Sequence, residues 1–306
     1  MYQIYAMGEM LIDFTLNPKK LFVPNPGGAP ANLCVAVKKL GGESALITSL
    51  SQDYFGNFLM DTLITHQVDT RYITRVQDKT MLAFVTLDSN NDRSFKFYDE
   101  HTADKKLSIK PLESTIFQKD YFHFCSVSLQ NKQNINAHLK MIKKIKDHSG
   151  LVSFDPNLRL SLWKHKEKLM DTVWKFIELS DIVKVSEEEL KFLTNLDEAK
   201  AIESFFLKPI RMLIITRGKD GATLITRQKR YDQHAKPVTV MDTTGAGDAF
   251  MGAFLYQLQQ QKIDTSNLLT VDYSNILSFS TDIATKSVQH VGAIPSYIFD
   301  DVSSKK

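Results

Sequence analysis

Short apolar segments alternate with amphipathic helical segments along most of the chain, and this alternation restricts the fold more than any other feature. Strands are predicted at residues 4–14, 45–50, 121–126, 151–154, 182–185 and 212–216, and helices at 31–40, 55–66, 135–148, 167–179 and from 187 onward. Strands that are separated by helices pair in parallel and are covered on both faces. The sequence therefore predicts an α/β fold with a doubly wound, mostly parallel sheet and with ligand sites at the carboxyl ends of its strands.

Two stretches interrupt this alternation. Residues 82–87 and 93–98 both have the character of strands and are joined by a polar turn at 88–92, which predicts a hairpin. Residues 15–26 contain three prolines and can place further extended chain beside that hairpin. We therefore expect a single domain over residues 1–306, in which excursions at about 14–26 and 82–104 form a small β-sheet that serves as a lid.

The composition is that of an ordinary globular protein. Of the 306 residues, 43% are hydrophobic and 24% are charged, and the formal net charge is +3, so neither disorder nor a nucleic-acid partner is expected. There is no uncharged apolar run of about 18 residues and no basic leader, so we expect no membrane partner and no secretory signal. Because Cys34 and Cys125 both lie in apolar sequence, a disulfide framework is not expected, and the cytoplasm is the predicted location.

Patterns typical of metal sites are weak in this sequence. Asp88, Asn90 and Asp92 have the spacing of a calcium loop, but Arg93 stands where such a loop needs glycine. The eight histidines have no paired metal-ligand spacing. A turn is therefore favoured over a calcium site at 88–92, and a structural zinc site is not expected.

The most informative local motif is Asp-Thr-Thr-Gly-Ala-Gly-Asp-Ala-Phe at residues 242–250. Gly245 and Gly247 permit a tight turn, and the apolar spacing that follows predicts the start of a helix. Backbone amides at such a start bind anions and stabilise charge on a phosphoryl group. Asp248 is either a functional carboxylate or a simple helix cap, and the local sequence does not decide between them. Phe250 departs from the dinucleotide fingerprint and no P-loop motif occurs, so neither an oxidoreductase nor a P-loop enzyme is indicated.

Three other segments bring polar residues to predicted strand ends or helix starts. Asn32 ends the segment Gly-Gly-Ala-Pro-Ala-Asn and can both donate to and accept from sugar hydroxyls, although a plain helix-entry turn also explains the segment. Arg159 follows the strand at 151–154 and can bind phosphate through two hydrogen bonds. Residues 216–221 follow another strand, where a glycine turn between two strands is an equal explanation.

Together these segments resemble the ribokinase-like (PfkB) carbohydrate kinases, and among them most closely the bacterial fructokinases. The resemblance covers nearly the whole chain in order, and residues 27–32 and 242–250 correspond to the two signatures of the family. It implies an ATP-dependent sugar kinase with fructose, phosphorylated on its 6-hydroxyl, as the leading substrate. It also implies Mg²⁺ with ATP and K⁺ as an activating cation. The other matching segments are 8–13, 40–42, 93–98, 103–104, 155–163, 184–189 and 216–221.

The resemblance implies roles for individual residues. Asp248 would be the general base that takes the proton of the attacking hydroxyl, with the amides of Gly245, Ala246 and Gly247 as an anion hole. By position, the sugar hydroxyls would be bound by Asp13, Gly28 and Asn32, and the pocket wall would be formed by Phe97. The phosphates would be bound by Arg159 and Lys184, and the rest of the nucleotide by Ser186, Thr216, Gly218, Gly221 and Asn275. Glu189 would hold Mg²⁺ through water, and Asp242 and Thr244 would bind the monovalent cation.

Besides Ser-Gln-Asp at residues 51–53, which replaces the commoner glycine-containing run, two positions depart from the family pattern. Ser186 stands where many relatives have asparagine, in the element that includes Glu189. Asp99 replaces an arginine that often follows the aromatic pair of the lid. This second change removes a positive charge from the edge of the pocket and argues against a phosphorylated sugar as the substrate.

Other functions and a possible assembly remain open from the sequence. Within the family, 2-keto-3-deoxygluconate kinase and riboside kinase are alternatives, and outside it a catalytically silent sensor of sugar or nucleotide is another. The apolar side chains of the lid hairpin also predict a homodimer through the lid. Those side chains are Phe84, Leu87, Phe95 and Phe97.

Overall fold

A nine-stranded sheet lies at the centre of the computed structural model, which describes residues 2–17, 19–87 and 93–299. The strands of these residues are β1 (Ile4–Met7), β2 (Leu11–Leu16), β3 (Phe22–Gly27), β4 (Ser44–Ser51), β5 (Ile73–Val76), β6 (Leu82–Leu87), β7 (Arg93–Tyr98), β8 (Tyr121–Cys125), β9 (Leu151–Asp155), β10 (Ile182–Ser186), β11 (Met212–Thr216), β12 (Ala222–Thr226) and β13 (Arg230–Gln233).

The order of strands in this large sheet is β13-β12-β11-β10-β9-β8-β1-β4-β5. All neighbouring pairs are parallel except β11 with β12 and β12 with β13. The predicted α/β fold with a doubly wound, mostly parallel sheet is therefore confirmed. The helices of the described residues are α1 (Ala29–Lys39), α2 (Tyr54–Thr65), α3 (Lys132–Asp147), α4 (Lys166–Glu178), α5 (Glu187–Thr194), α6 (Glu198–Phe206), α7 (Ala246–Gln260) and α8 (Ser274–Ser287).

The parallel strands contribute to two hydrophobic cores because their side chains alternate between the two faces of the sheet. In β1, Ile4 and Ala6 belong to the first core, whereas Tyr5 and Met7 belong to the second. The first core also contains the apolar faces of α1, α2, α7 and α8, and the second those of α3, α4, α5 and α6. Both faces are thus covered, which is why these strands read as continuous apolar runs in the sequence. Within the part of the chain described, no helix is long and apolar enough to cross a bilayer.

A separate four-stranded sheet has the order β3-β2-β6-β7. Strands β2 and β6 are parallel, and each pairs antiparallel with its outer neighbour. Pro24 and Pro26 lie in the edge strand β3, where a missing amide proton does not interrupt the sheet. This is the small β-sheet predicted from the two interruptions of the alternation.

Two details of the predicted elements differ from the structure. Residues 4–14 were expected as one strand, but β1 ends at Met7 and β2 begins at Leu11, in a different sheet. The connecting residues 8–10 are buried as well, and Glu9 among them is the only charged residue between the two strands. Residues 216–221 join the antiparallel strands β11 and β12, as the interpretation of a glycine turn between two strands required. The predicted turn at 88–92, with the calcium-loop alternative, and residues 303–306 lie outside the described residues.

Candidate active site

Two adjoining cavities lie at the carboxyl ends of the strands of the large sheet. The inner cavity has a volume of about 510 Å³, and Asp13 and Phe97 of the small sheet line it opposite Asn32 and Asp248 of the main body. It therefore lies between the small sheet and the main body.

The outer cavity, of about 630 Å³, lies between the β11–β12 turn and α8. Gly218 and Gly221 of the turn line it on one side. Thr216, Thr243 and Gly247 line both cavities, so a ligand in one is next to a ligand in the other.

A hydrogen bond between two helices fixes the side chain of Asp248. The Asn32 Nδ2 amide in α1 donates to Asp248 Oδ2 in the first turn of α7 at 2.8 Å. Asn32 is 4% exposed, and among the described residues its Oδ1 atom is buried without a hydrogen-bond partner. Since a buried acceptor without a partner costs free energy, this oxygen is suited to accept a hydrogen bond from a ligand hydroxyl.

The environment of Asp248 makes it a stronger base than an exposed aspartate. Burial raises the pKa of its carboxyl to about 6, and the hydrogen bond from Asn32 opposes that rise. At neutral pH the carboxylate is ionised and can accept a proton. The arrangement therefore supplies a base next to a cavity, which simple helix capping does not require.

The helix α7 begins at the glycine-rich turn, as the sequence indicated. Gly245 is its N-cap residue and has φ of 76°, in the left-handed region that favours glycine. The Ala246 amide donates to the Thr243 carbonyl at 3.3 Å, which is long for a hydrogen bond. An anion at this turn can compete for that amide because the existing bond is weak.

A buried cation lies against the same turn. Lys184 Nζ in β10 forms a salt bridge of 2.9 Å with Asp155 Oδ2 at the end of β9. A Cβ atom added to Gly247 would lie 3.0 Å from Lys184 Nζ, so the ammonium group lies beside the helix start. Burial alone would lower the pKa of Lys184, but the carboxylates of Asp155 and Glu189 outweigh it and raise this pKa above its usual value. The lysine is therefore charged at all pH values of interest.

Arg159 adds a second cation to the inner cavity. It follows β9 in the loop after Asp155, and its guanidinium donates to the carbonyl of Leu158 at 3.3 Å. Asn157 in the same loop has φ of 43°. The loop thus turns back toward the cavity immediately after the strand ends.

Ser186 and Glu189 form a capping box at the start of α5. The Ser186 hydroxyl accepts from the Glu189 amide, and Glu189 Oε2 accepts from the Ser186 amide at 2.9 Å. Glu189 Oε1 accepts from the Leu158 amide at 2.6 Å. Serine replaces the family's asparagine without loss of the cap because both side chains are good N-cap residues. Both carboxylate oxygens already accept backbone amides, so Glu189 fits a metal held through water better than one bound directly.

Asp242 and Thr244 lie in a loop behind the turn. Asp242 is 7% exposed, and its carboxylate accepts from the Thr244 amide at 2.7 Å and from the Gly292 amide at 3.0 Å. This buried carboxylate, surrounded by backbone of two segments, fits a monovalent cation with oxygen ligands. Across the residues described, no three carboxylate, histidine or cysteine side chains converge into a metal cluster. A divalent ion would therefore depend on oxygens of a ligand and on water.

The structure gathers most of the sequence-predicted residues around the two cavities, with exceptions. Asn275 is exposed in the first turn of α8 and lines neither cavity, whereas Thr281, Ala284 and Thr285 further along α8 line the outer one. Ala246 lines the outer cavity only. The residues named from the sequence that line the inner cavity are Asp13, Gly28, Asn32, Phe97, Arg159, Lys184, Ser186, Glu189, Thr216, Thr244, Gly245, Gly247 and Asp248, and those that line the outer one are Thr216, Gly218, Gly221, Ala246 and Gly247.

Glu9 lines the inner cavity and was not recognised as a site residue from the sequence. It is 3% exposed, and its Oε2 atom is buried without a hydrogen-bond partner in the described residues. Burial raises the pKa of Glu9 to about 8, and the nearby carboxylates of Asp104 and Asp248 add to the rise. The only signal in the sequence was an acidic residue inside an apolar run.

Comparison with known proteins decides which family has this site. The model of the pfkB family carbohydrate kinases matches residues 1–298. The chain belongs to this family. The sequence-based assignment is therefore confirmed, and the protein is a carbohydrate kinase that transfers a phosphoryl group to a sugar hydroxyl.

Several members of the pfkB family are similar over nearly their whole length. A probable fructokinase-3 of Arabidopsis thaliana is 35% identical over 307 residues, which cover 96% of this chain and 88% of that protein. A fructokinase of Xylella fastidiosa with bound ATP has a TM-score of 0.90 and 32% identity, covering 99% of this chain and 97% of that one. A double mutant of the Vibrio cholerae O395 fructokinase, in a form with bound fructose, ADP and potassium ion, has a TM-score of 0.88 and 32% identity, covering 97% and 95%.

Proposed function

We propose that the protein is an ATP-dependent fructokinase that converts D-fructose and ATP into D-fructose 6-phosphate and ADP. The observation that carries the proposal is the Asn32–Asp248 pair, which faces the inner cavity directly beside the glycine-rich turn. The similarity to fructokinases over nearly the whole chain supports fructose as the sugar.

The inner cavity would hold the sugar and the outer cavity the nucleoside. Asp13, Gly28 and Asn32 would contact sugar hydroxyls, and Phe97 would cover one face of the ring. Thr216, Gly218 and Gly221 would contact the nucleotide. Thr216, Thr243 and Gly247 line both cavities, and this shared border supports phosphoryl transfer between them. Ser186 and Asn275 remain proposed nucleotide contacts, the latter only if the ligand extends along α8.

Transfer would proceed with Asp248 as general base. As the sugar oxygen forms its bond to the γ-phosphorus, Asp248 takes the hydroxyl proton and the bond from phosphorus to the bridging oxygen of ADP breaks. The amides of Gly245, Ala246 and Gly247 would stabilise the equatorial oxygens, and Arg159 and Lys184 would neutralise further charge.

Two cations complete the proposal. Mg²⁺ would bind the phosphates of ATP and neutralise part of their charge. Glu189 would orient the metal ion through water. K⁺ would bind beside Asp242 and Thr244, and the potassium-bound form of the Vibrio cholerae fructokinase supports K⁺ as the cation, but not this position. The cytoplasmic location predicted from the sequence stays a prediction.

An ADP-release assay over a panel of substrates tests the function. Fructose should give the highest kcat/KM in the presence of Mg²⁺, with a further increase when K⁺ replaces Na⁺. Mannose, glucose, ribose, 2-keto-3-deoxygluconate, nucleosides and fructose 1-phosphate are the comparison substrates. A higher kcat/KM for 2-keto-3-deoxygluconate or a nucleoside would overturn fructose as the substrate, and no ADP release with any sugar would revive the silent sensor.

The small sheet would serve both as a lid and as a dimer interface. Exposed apolar side chains among its described residues include Leu16 (45%), Phe22 (44%) and Tyr98 (54%), and a second copy of this sheet would cover them. Of the hairpin side chains predicted to form the interface, Phe84 and Phe97 are partly buried, and those of Leu87 and Phe95 lie outside the described part of the structure. Sedimentation equilibrium should give twice the 34.8 kDa mass of the chain. Phe22→Lys should shift it toward the monomer, whereas Leu207→Lys, at an 85% exposed position on the main body, should not. A monomeric wild type would refute the dimer.

A further inference from the structure

The hydroxyl of Tyr297 contacts the turn that precedes α7. It donates to the Gly245 carbonyl at 2.8 Å, across 52 positions of the chain. We propose that Tyr297 is a positioning residue for phosphoryl transfer, which acts by holding the Gly245–Ala246 peptide in the orientation that directs the Ala246 amide toward the transferred phosphoryl group.

The planarity of the peptide bond gives the physical link. The Gly245 carbonyl and the Ala246 amide belong to one rigid peptide unit and point in opposite directions. Fixing the carbonyl oxygen therefore fixes the direction of the amide proton. That oxygen also accepts from the Ala249 amide at 2.8 Å, so the α7 backbone holds it from one side and Tyr297 from the other.

This second restraint limits rotation of the peptide, which glycine at position 245 would otherwise permit. The Ala246 amide donates to Thr243 at 3.3 Å, and Gly245, with φ of 76°, has no side chain to limit its rotation. A turn of this kind loses its alignment readily unless something packs against it. A Cβ atom on Gly245 would lie 2.6 Å from Ala293 Cβ and 2.8 Å from the Tyr297 hydroxyl, so the segment 293–297 packs directly on the glycine.

Tyr297 itself is rigidly placed. It is 1% exposed, belongs to the first core, and stacks on Phe299 with 5.6 Å between ring centroids. Burial raises the pKa of Tyr297 well above its usual value, and the Asp248 carboxylate adds to this, so the hydroxyl keeps its proton and can only donate to the carbonyl.

The same segment restrains the chain on the other side of the turn. The Gly292 amide donates to Asp242, and the Met241 amide donates to the Val288 carbonyl at 2.8 Å. Residues 288–297 thus hold the loop at Met241 and Asp242 as well as Gly245, where the proposed anion hole begins. The packing of the core explains the position of the Tyr297 ring. It does not explain why the hydroxyl points toward Gly245.

Tyr297→Phe tests the inference, which rests on the proposed fructokinase function. It keeps the ring and removes only the hydroxyl. Tyr273→Phe is the matched control because Tyr273 is also 1% exposed, donates to a backbone carbonyl, that of Leu268, at 2.6 Å, and lines neither cavity. Each variant loses one buried hydrogen bond of the same type, so their thermal unfolding midpoints should fall by similar amounts.

The kinetic readouts separate a positioning role from a structural one. In Tyr297→Phe, kcat should fall by about tenfold, less than the roughly hundredfold loss typical of a direct donor, with the KM values for fructose and ATP within about twofold of wild type. The affinity for ADP with aluminium fluoride and fructose, which imitates the transferred phosphoryl group, should fall by a similar factor, whereas that for ADP alone should not. Tyr273→Phe should change none of these values.

Two results would overturn the inference while leaving the kinase function intact: an active wild type with unchanged kcat in Tyr297→Phe, or an equal loss of kcat in Tyr273→Phe. An inactive wild type would instead contradict the proposed function.

Discussion

At the scale of single residues, Asp248 is subject to two opposing influences. Burial disfavours its charge, while the amide of Asn32 stabilises it, and the resulting pKa of about 6 leaves the carboxylate ionised yet basic at neutral pH. A fully solvated aspartate would be ionised but a weaker base. The hydrogen bond from Asn32 therefore fixes the position of the base and also limits the rise of its pKa.

Asp248→Asn should lower kcat by at least about a hundredfold, because a positioned base contributes roughly 10²- to 10⁴-fold. The side chain keeps its shape, so dissociation constants for ATP and fructose should change little. Steady-state kinetics by ADP release and calorimetric titration of both ligands measure the two effects. A near-normal kcat would exclude Asp248 as the base.

The buried Glu9 should make the folded protein less stable as the pH rises. A salt-bridged acid has the opposite effect, because its pKa is lowered and its contribution is lost as the pH falls. Its pKa, about 8 in the folded protein, lies above its ordinary value, so between these values the folded protein retains a proton that the unfolded chain has lost. The free energy of unfolding of the wild type, relative to Glu9→Gln, should therefore fall by about 2 kcal/mol from pH 5 to pH 7. Urea denaturation at several pH values measures this difference. The charged neighbours of Glu9, which are Asp104, Asp248 and Arg159, are present in both proteins, so their titration affects both. If the free energies of unfolding of the two proteins changed in parallel with pH, a buried and protonated Glu9 would be contradicted.

At the scale of elements, α1 and α7 approach closely at Gly252. A Cβ atom at this position would lie 2.8 Å from Ala36 Cβ and 3.2 Å from the Leu33 carbonyl oxygen. The absence of a side chain allows α1, which carries Asn32, to lie near enough to α7 for the bond to Asp248. A packing contact about one turn from the base thus helps to set the geometry of the site.

Gly252→Ala should lower the free energy of unfolding by about 1–3 kcal/mol, the usual cost of overpacking a core, although alanine is the better helix former. Gln260→Ala is the control because it lies exposed at the end of the same helix and should change stability by no more than about 0.5 kcal/mol. Equal stability of the two variants would show that the helices can move apart without cost.

Local sequence patterns predicted the helices and strands well, but they did not predict the contacts between these elements. The start of α7 was predictable because glycines, helix start and carboxylate lie within one short segment, and the large sheet because both faces of its strands are buried. The Asn32–Asp248 bond joins residues 216 positions apart, and nothing in either segment indicates the partner. Glu9 and Tyr297 were missed because each is embedded in apolar sequence. Asn275 was assigned by resemblance alone, and the register of α8 places other residues at the cavity.

At the scale of the whole molecule, the inner cavity lies between two sheets whose described strands do not pair with each other, although Ile12 of β2 packs in the first core. Its lining residues Asp13 and Phe97 belong to the small sheet, and Asn32 and Asp248 to the main body. A sugar that contacts both groups would hold the small sheet against the body. The lid that we propose is therefore the small sheet and not a single loop.

Fructose should slow amide hydrogen exchange in β2 and β6 of the small sheet, because it bridges the two sheets and reduces their relative motion. Exchange in α4, which lines neither cavity, should not change. Asp13→Ala should abolish the protection at the same fructose concentration. Protection confined to the main body would contradict a lid role for the small sheet.

The shared border of the two cavities has a consequence for inhibitor design. Because Thr216, Thr243 and Gly247 line both, the volumes of about 510 and 630 Å³ adjoin along this border. A single compound that joins a sugar to adenosine through a phosphate chain could occupy both at once. Its second half would bind at the high effective concentration set by the linker, so even two weak fragments would combine into a tight and selective ligand.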